Sequence, residues 1–300
     1  MSNILSLTPS DFPDYELIDC GNFLKLERFG TLITIRPEPQ AVWDASLNIS
    51  EWEKRAHVKF VPKSSSSGEW QKLKSANDRW NIKCKIGNPK SDNRSEIQFR
   101  LGLTSFKHVG VFPEQAVNWN YIYNSVKQLK AKEPKFLNLF AYTGGASLAA
   151  RAAGADTTHL DSIKQVVTWA KENMELSKLN NIRWLVEDAL KFVKREVKRG
   201  NKYHGIILDP PSFGHGPDGE KWKLEDNINE MMKNVLQLLY EDEHFLILNA
   251  YSLGFSSLIL ENLVQQNFKA ENLEIGELYL EDSFKKKLPL GAFARFRKTK

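Results

Sequence analysis

Phe136-Leu137-Asn138-Leu139-Phe140-Ala141-Tyr142-Thr143-Gly144-Gly145-Ala146-Ser147 decides the fold. The run Phe136 to Phe140 reads as a buried strand, the paired glycines as a tight turn, and Ala146 to Ala153 as a helix with apolar residues at helical spacing. The same unit recurs downstream. Strand-like runs Thr157 to Leu160, Ile182 to Val186, Gly205 to Leu208 and Phe245 to Ala250 alternate with helical patterns over Ile163 to Leu179, Ala189 to Lys198 and Leu224 to Tyr240. A parallel sheet covered by helices is written this way, because parallel neighbours need a long crossover between them. A helix over Ser256 to Gln266 and two strand-like stretches, Ala270 to Leu280 and Gly291 to Arg297, complete the sheet as an antiparallel pair.

Upstream of Asn118 the pattern is different. Short strands are expected at Phe23 to Leu26, Thr31 to Arg36, His57 to Val61, Trp80 to Ile86 and Ser95 to Leu101, separated by polar, turn-rich segments. The run Ser64 to Gly68 reads as a hairpin tip. Two domains follow: a β-rich unit over residues 1–118, a candidate for substrate recognition, and an α/β unit over residues 119–300. Trp43, Trp52, Trp70, Trp80 and Trp119 either pack or present aromatic surface for nucleotides.

Composition narrows the function classes. With 41% hydrophobic and 26% charged residues, the chain is that of an ordinary globular protein. It has no apolar run near the roughly 18 residues of a membrane span. Residues Met1 to Asp19 lack the basic start and apolar stretch of a secretory signal, so a cytoplasmic location is expected. Cys20 and Cys84 are too few for a disulfide framework or a metal-ligand cluster, and no metal is expected. A net charge of +5 permits a nucleic-acid partner without requiring one. Two basic clusters stand out: Lys285, Lys286, Lys287, Arg295, Arg297, Lys298 and Lys300, and Lys191, Lys194, Arg195, Lys198 and Arg199. Each reads either as a solvated face or as a phosphate-binding surface.

Ligands of an open parallel sheet bind beyond the carboxyl ends of its strands, so the residue after each strand carries the information. Tyr142 to Gly145 follow the first strand, and two glycines there allow close backbone approach. Asp161 ends the second strand, seventeen residues past Gly144; its carboxylate suits the two hydroxyls of a ribose, or, with Ser162, a helix N-cap. Asp188-Ala189 follows the third strand, with an adenine contact and an N-cap both open. The fourth delivers Asp209-Pro210-Pro211-Ser212-Phe213-Gly214, a carboxylate on a wall stiffened by two prolines that lack amide donors.

The segments Leu137 to Gly145 and Asp209 to Gly214 together resemble the class I S-adenosylmethionine-dependent methyltransferases of the bacterial large-subunit ribosomal RNA methyltransferase group. The resemblance implies a Rossmann-like domain with a mostly parallel seven-stranded sheet, S-adenosylmethionine as cofactor and RNA, ribosomal RNA foremost, as partner. By that resemblance Asp161 with Ser162 holds the ribose, Asp188 and Ala189 the adenine, and Gly144 the methionine portion. Asn138, Phe140, Ala141, Tyr142, Thr143 and Gly145 shape the same loop, and Asp209 lies near the reactive methyl. Phe106 to Gln115 resembles the segment that covers the cofactor, with Phe112 packing on the adenosine and Gln115 bonding to it; Ala116 stands where an arginine often follows. Between Tyr15 and Phe99 nothing matches the group's usual RNA-binding motif.

A methyltransferase acting on C5 of a pyrimidine needs a thiolate that adds to C6 first. Residues 119–300 contain no cysteine, and Asn249-Ala250-Tyr251-Ser252 occupies the stretch after the fifth strand. Transfer to nitrogen or oxygen is therefore expected, with Asp209, Pro210, Pro211 and Phe213 around the reacting atoms. Phe213 reads as a stacking platform or as core, Tyr251 and His215 as hydrogen-bonding candidates, and Gly214 to Gly219 as a flap. A small-molecule or protein methyltransferase and a non-catalytic binding module are the alternatives.

Overall fold

The computed structural model describes residues 3–64, 67–88, 94–251 and 254–299. In chain order the first part comprises β1 (Ile4–Leu7), β2 (Tyr15–Gly21), β3 (Leu24–Phe29), β4 (Leu32–Pro37), α1 (Ile49–Arg55), β5 (Val58–Pro62), β6 (Gly68–Lys72), β7 (Arg79–Ile86) and β8 (Ser95–Gly102). Then come α2 (Ala116–Gln128), β9 (Lys135–Leu139), α3 (Gly145–Ala152), β10 (Asp156–Asp161), α4 (Lys164–Leu176), β11 (Ile182–Val186), α5 (Ala189–Lys198) and β12 (Gly205–Leu208). The last part holds β13 (Phe213–His215), β14 (Lys221–Lys223), α6 (Leu224–Val235), β15 (His244–Ala250), α7 (Ser257–Gln265), β16 (Glu274–Glu281) and β17 (Lys287–Lys298).

The main sheet runs β1-β16-β17-β15-β12-β9-β10-β11. Strands β9 to β12 and β15 are parallel, and β17 lies antiparallel between β15 and β16. Its interior strands are apolar on both faces. Leu137, Leu139, Ile206 and Leu208 pack with Phe192 of α5, Met231 of α6 and Leu260 of α7. Phe136, Ile207, Phe245 and Ile247 pack the other way, with Ile122 of α2 and Leu148 of α3. Period-two alternation thus serves two cores at once.

The sheet has eight strands where seven were expected. The added one is β1, parallel to β16 in the register Leu5↔Gly276. Gly276 permits this edge, since a Cβ there would lie 2.0 Å from the Leu5 carbonyl oxygen.

A separate five-stranded sheet, β2-β3-β4-β5-β6, packs Leu26 and Ile35 against Trp52 of α1. α1 begins at Asn48, whose side chain accepts from the Glu51 amide. β5 and β6 pair around the anticipated hairpin tip, of which Ser65 and Ser66 lie outside the described residues. The β7-β8 hairpin packs Ile82 and Phe99 into the core under α2 and α3. Its outer edge is closed by α4 and the residue after it: the Gln98 amide donates to Ser177 Oγ at 2.9 Å and the Arg100 amide to Asn173 Oδ1 at 2.8 Å. The indole N–H groups of Trp43, Trp52, Trp70 and Trp80 all donate within the fold, so these rings serve packing.

Candidate active site

Between β10 on one side and β12 on the other, β9 marks the point where strand order reverses, and a crevice opens beyond their carboxyl ends. Its lining includes Phe112, Gln115, Asn138, Phe140, Ala141, Tyr142, Thr143, Gly144, Gly145 and Asp209, joined by Val111, Trp119 and Ile207.

The turn after β9 is wound tightly. Phe140, Tyr142 and Gly144 have φ of 57°, 47° and 93°. Left-handed backbone at non-glycine residues costs of order 1–3 kcal/mol each and persists only where the surroundings impose it. Here they do. Asp161 Oδ2 accepts the Tyr142 amide at 2.9 Å, Thr143 Oγ1 donates to the Gly110 carbonyl at 2.7 Å, and Asn173 Nδ2 donates to the Thr143 carbonyl at 2.9 Å. The Phe140 ring lies against Trp222, centroids 4.8 Å apart. The two glycines have separate reasons: positive φ at Gly144, and at Gly145 the Trp119 indole, 2.5 Å from where a Cβ would sit.

Beneath the turn runs a buried polar chain. Asn138 Nδ2 donates to Ser147 Oγ at 2.9 Å, which lies 3.0 Å from His159 Nδ1. Burial pushes the His159 imidazole down to about 3, so it is neutral at physiological pH.

Asp161 is not the N-cap of α4; Ile163 is, without a side-chain cap, and the Asp161 carboxylate instead accepts two backbone amides. Its Oδ1 accepts the Ile163 amide at 3.0 Å while Oδ2 orients the turn, and each oxygen keeps a lone pair for a ligand. Burial holds its carboxyl above the ordinary value. Asp188 is the N-cap of α5, accepting from the Lys191 amide at 2.8 Å, with Ala189 buried behind it. The Glu187 amide donates to the Asp161 carbonyl at 3.2 Å and brings the two ends together. Asp161, Ser162, Asp188 and Ala189 are not part of the cavity's lining.

Asp209 leaves β12 half-buried. Its Oδ1 accepts from Asn249 Nδ2 at 2.7 Å, and burial, only partly offset by that bond, pushes its carboxyl up to about 6. Pro210 is buried and Pro211 exposed. The Pro211 carbonyl accepts the Trp222 indole N–H at 2.7 Å, which ties the stiff wall to the β13-β14 hairpin. That hairpin contains Gly214 to Gly219, the stretch expected to form a flap. It carries Phe213, 67% exposed and so no core residue, and His215, also exposed. Tyr251 donates its hydroxyl to Glu38 at 2.8 Å; Ser252 lies outside the described residues.

A buried charged network on the N-terminal sheet escaped the sequence reading. Lys25 and Glu27 of β3, Arg36 of β4 and the following Glu38 are all buried. Arg36 pairs with Glu27 at 2.7 Å and Lys25 with Glu38 at 3.1 Å. Through Glu38 and Tyr251 this network reaches the end of β15. The signal was the alternation Lys25-Leu26-Glu27, which points two charges to one face of a strand.

Of the C-terminal basic cluster, Lys286 and Arg295 are held in partly buried pairs, Lys285, Lys287 and Arg297 are exposed, and Lys300 lies outside the described residues. Lys286 binds Asp19 at 2.8 Å and Asp282 at 3.5 Å, Lys285 binds Glu281, and Arg295 binds Glu274 and lies over the Tyr121 ring. In the other cluster Lys191, Lys194, Arg195 and Arg199 pair with Glu220, Glu230, Glu187 and Glu196. Among the described residues no group of three or more His, Cys, Asp or Glu side chains is placed to hold a metal ion. None of their helices is long and apolar enough to cross a membrane.

Comparison with known proteins agrees with this geometry. The SAM-dependent methyltransferase of Agrobacterium tumefaciens is 36% identical, with a TM-score of 0.87 over 97% of this chain and 93% of that one. SMU.776, solved with SAH bound, shares the fold at 17% identity, with a TM-score of 0.68 over 91% of this chain and 71% of that one. The ribosomal RNA large subunit methyltransferase K/L of Shewanella frigidimarina is 33% identical over 146 residues, 47% of this chain; the match spans only 20% of that longer protein. Residues 79–271, more than half of the chain, match the S-adenosylmethionine-dependent methyltransferase family, and the chain is a member of it.

Proposed function

We propose that this protein transfers a methyl group from S-adenosylmethionine to a nitrogen of an RNA base, with ribosomal RNA the favoured substrate. The observation that carries the reading is Asp209: a carboxylate anchored through one oxygen to Asn249, lining the same cavity as the glycine turn. The residues present fit the cofactor. The left-handed turn over Phe140 to Gly144 keeps backbone, and no side chain at Gly144 or Gly145, toward the methionine portion. Asp161 has lone pairs for a ribose, Asp188 and Ala189 border the adenine end, and Phe112, 5.2 Å from the Tyr142 ring, supplies an apolar cover with Gln115 beside it.

When bound, the cofactor supplies an electrophilic methyl group on a sulfonium. The chain's part is to present an acceptor in line with it. Asp209 Oδ2 accepts an N–H of the acceptor amino group, which aims the nitrogen lone pair, and takes the proton that nitrogen sheds as its bond to carbon forms. Pro210 and Pro211 hold that carboxylate with few free dihedrals. Phe213, on the exposed hairpin, offers a face for stacking a base, a contact worth roughly 1–3 kcal/mol. Cysteine chemistry has no support: both thiols are buried, and burial pushes each up to about 12.

The test is to incubate the protein with methyl-labelled cofactor and a fractionated cell extract. Label in the RNA fraction, in a methylated base nitrogen, is the expected result. Label confined to protein or to small molecules, or 5-methylcytosine as the product, contradicts it.

A further inference from the structure

The start of α2 brings two side-chain donors to the glycine turn. Gln115 precedes the helix and Trp119 follows one helical turn on, so the two share a face, and both line the cofactor cavity. They are 7% and 5% exposed. The Trp119 Nε1 edge lies against Gly145, where a Cβ would come within 2.7 Å of that nitrogen. Unlike the indoles of Trp43, Trp52, Trp70 and Trp80, Trp119 has no acceptor for its N–H among the described residues. Gln115 is fixed by Asn118, fully buried on the same turn, whose Nδ2 donates to Gln115 Oε1 at 2.8 Å. With Oε1 held there, Nε2 points away from Asn118, and among the described residues it too lacks an acceptor. Neither nitrogen is sealed off in the way Asn118 Oδ1 is, which is buried without a partner. Gly145 itself opens α3, whose N-cap, Gly144, has no side chain to take up the first amides. Donors thus collect at this end of the cavity, and no side chain among them is charged: among the described residues no Lys, Arg or His lines it. Such a set matches an anion with two oxygens.

We propose that Gln115 Nε2 and Trp119 Nε1, with the first amides of α3, hold the carboxylate of the cofactor's methionine portion, and that Asn118 is a positioning residue that turns the Gln115 amide toward it. A carboxylate only accepts, so one group completes all of these donors. Asn118 acts at one remove. It lines no part of the cavity, and its single hydrogen bond decides which end of the Gln115 amide the ligand meets. The inference rests on the cofactor placement proposed above, with the glycine turn at the methionine portion.

Titration calorimetry compares S-adenosylmethionine with its decarboxylated form, which lacks that carboxylate and keeps the adenosine, the sulfonium and the amine. Native protein binds the first more tightly by about 10–100-fold, the scale of hydrogen bonds to a charged group. Gln115→Met keeps the side-chain volume and loses the donor; Trp119→Phe keeps a ring and loses the N–H. Each lowers affinity for S-adenosylmethionine by about 10-fold and leaves affinity for the decarboxylated form unchanged. Asn118→Ala weakens S-adenosylmethionine binding several-fold in the native background and no further in Gln115→Met, a non-additivity that a merely structural role does not produce. Thermal unfolding of every variant is followed alongside. Equal native affinity for the two ligands, or a loss in Gln115→Met that is the same for both, overturns the inference and leaves the cofactor placement standing. Should Trp119→Phe or Asn118→Ala fail to fold, the ratio of the two affinities in Gln115→Met alone decides. If well-folded native protein binds neither ligand, the placement falls and this inference falls with it.

Discussion

Asn249 donates to Asp209 at 2.7 Å, so the carboxyl ends of two adjacent parallel strands, β12 and β15, are coupled where Asp209 leaves the sheet. The bond fixes one carboxylate oxygen and leaves the other for the proposed acceptor. It also opposes burial: without it, the Asp209 carboxyl rises above its value of about 6.

Asn249→Ala therefore lowers kcat by about 10–100-fold, the worth of a hydrogen bond to a charged group. The sign of its pH effect follows. Ionised Asp209 is the active form, so native activity is lost as pH falls through about 6, and in the variant that acidic limb moves to higher pH. A pH–rate profile with an unmoved acidic limb contradicts the role given to this pair.

Gly145→Ala places a methyl group 2.5 Å from the Trp119 indole. Relieving that overlap costs about 1–3 kcal/mol and displaces a wall of the cavity. Thermal unfolding and SAH calorimetry together check it: both Tm and affinity fall. An unchanged Tm shows that Trp119 yields freely and that the close approach is dispensable.

His159 gives the fold a pH dependence of its own. Its folded-state value is depressed to about 3, while the unfolded chain takes up a proton near the ordinary 6.5. Between those limits the unfolded state binds more protons, so stability falls as pH is lowered, by up to about 1.4 kcal/mol per pH unit from this group. Denaturant unfolding of native and His159→Gln proteins across that range checks the prediction; the variant shows the shallower slope.

Lys286 tests the meaning of the basic C-terminal cluster. Burial pushes the Asp19 carboxyl up, but hydrogen bonds from Lys286, Leu47, Ser46 and Trp52 outweigh it and hold the group below its ordinary value. Lys286→Ala removes one of several partners from Asp19 and from Asp282 and destabilises the protein by about 1.5–3 kcal/mol. Weakened RNA binding at native stability contradicts this and assigns Lys286 to phosphate contact.

Much of the α/β half was legible because each buried strand ends in a signal of its own: glycines at Gly144 and Gly145, carboxylates at Asp161, Asp188 and Asp209. Local periodicity also marked β7, β8 and α3 to α7. What went unread depends on long-range partners. β1 is four residues long and pairs with a strand some 270 positions away, with only Gly276 marking the approach. α2 lay at the change of pattern near Asn118 and was not assigned; its packing against α3 and the β7-β8 hairpin defines it. Phe213 was ambiguous in sequence because exposure depends on the short hairpin that carries it.

The loops after β9, β10, β11 and β12 are held to converge on one S-adenosylmethionine molecule, and titration calorimetry tests this most directly. Native protein is expected to bind S-adenosylmethionine and SAH at one site, with Asp161→Ala, which loses the Tyr142 anchor and the proposed ribose contact, binding far more weakly at comparable Tm. No heat of binding from the well-folded native protein, or equal affinity in Asp161→Ala, contradicts the site described.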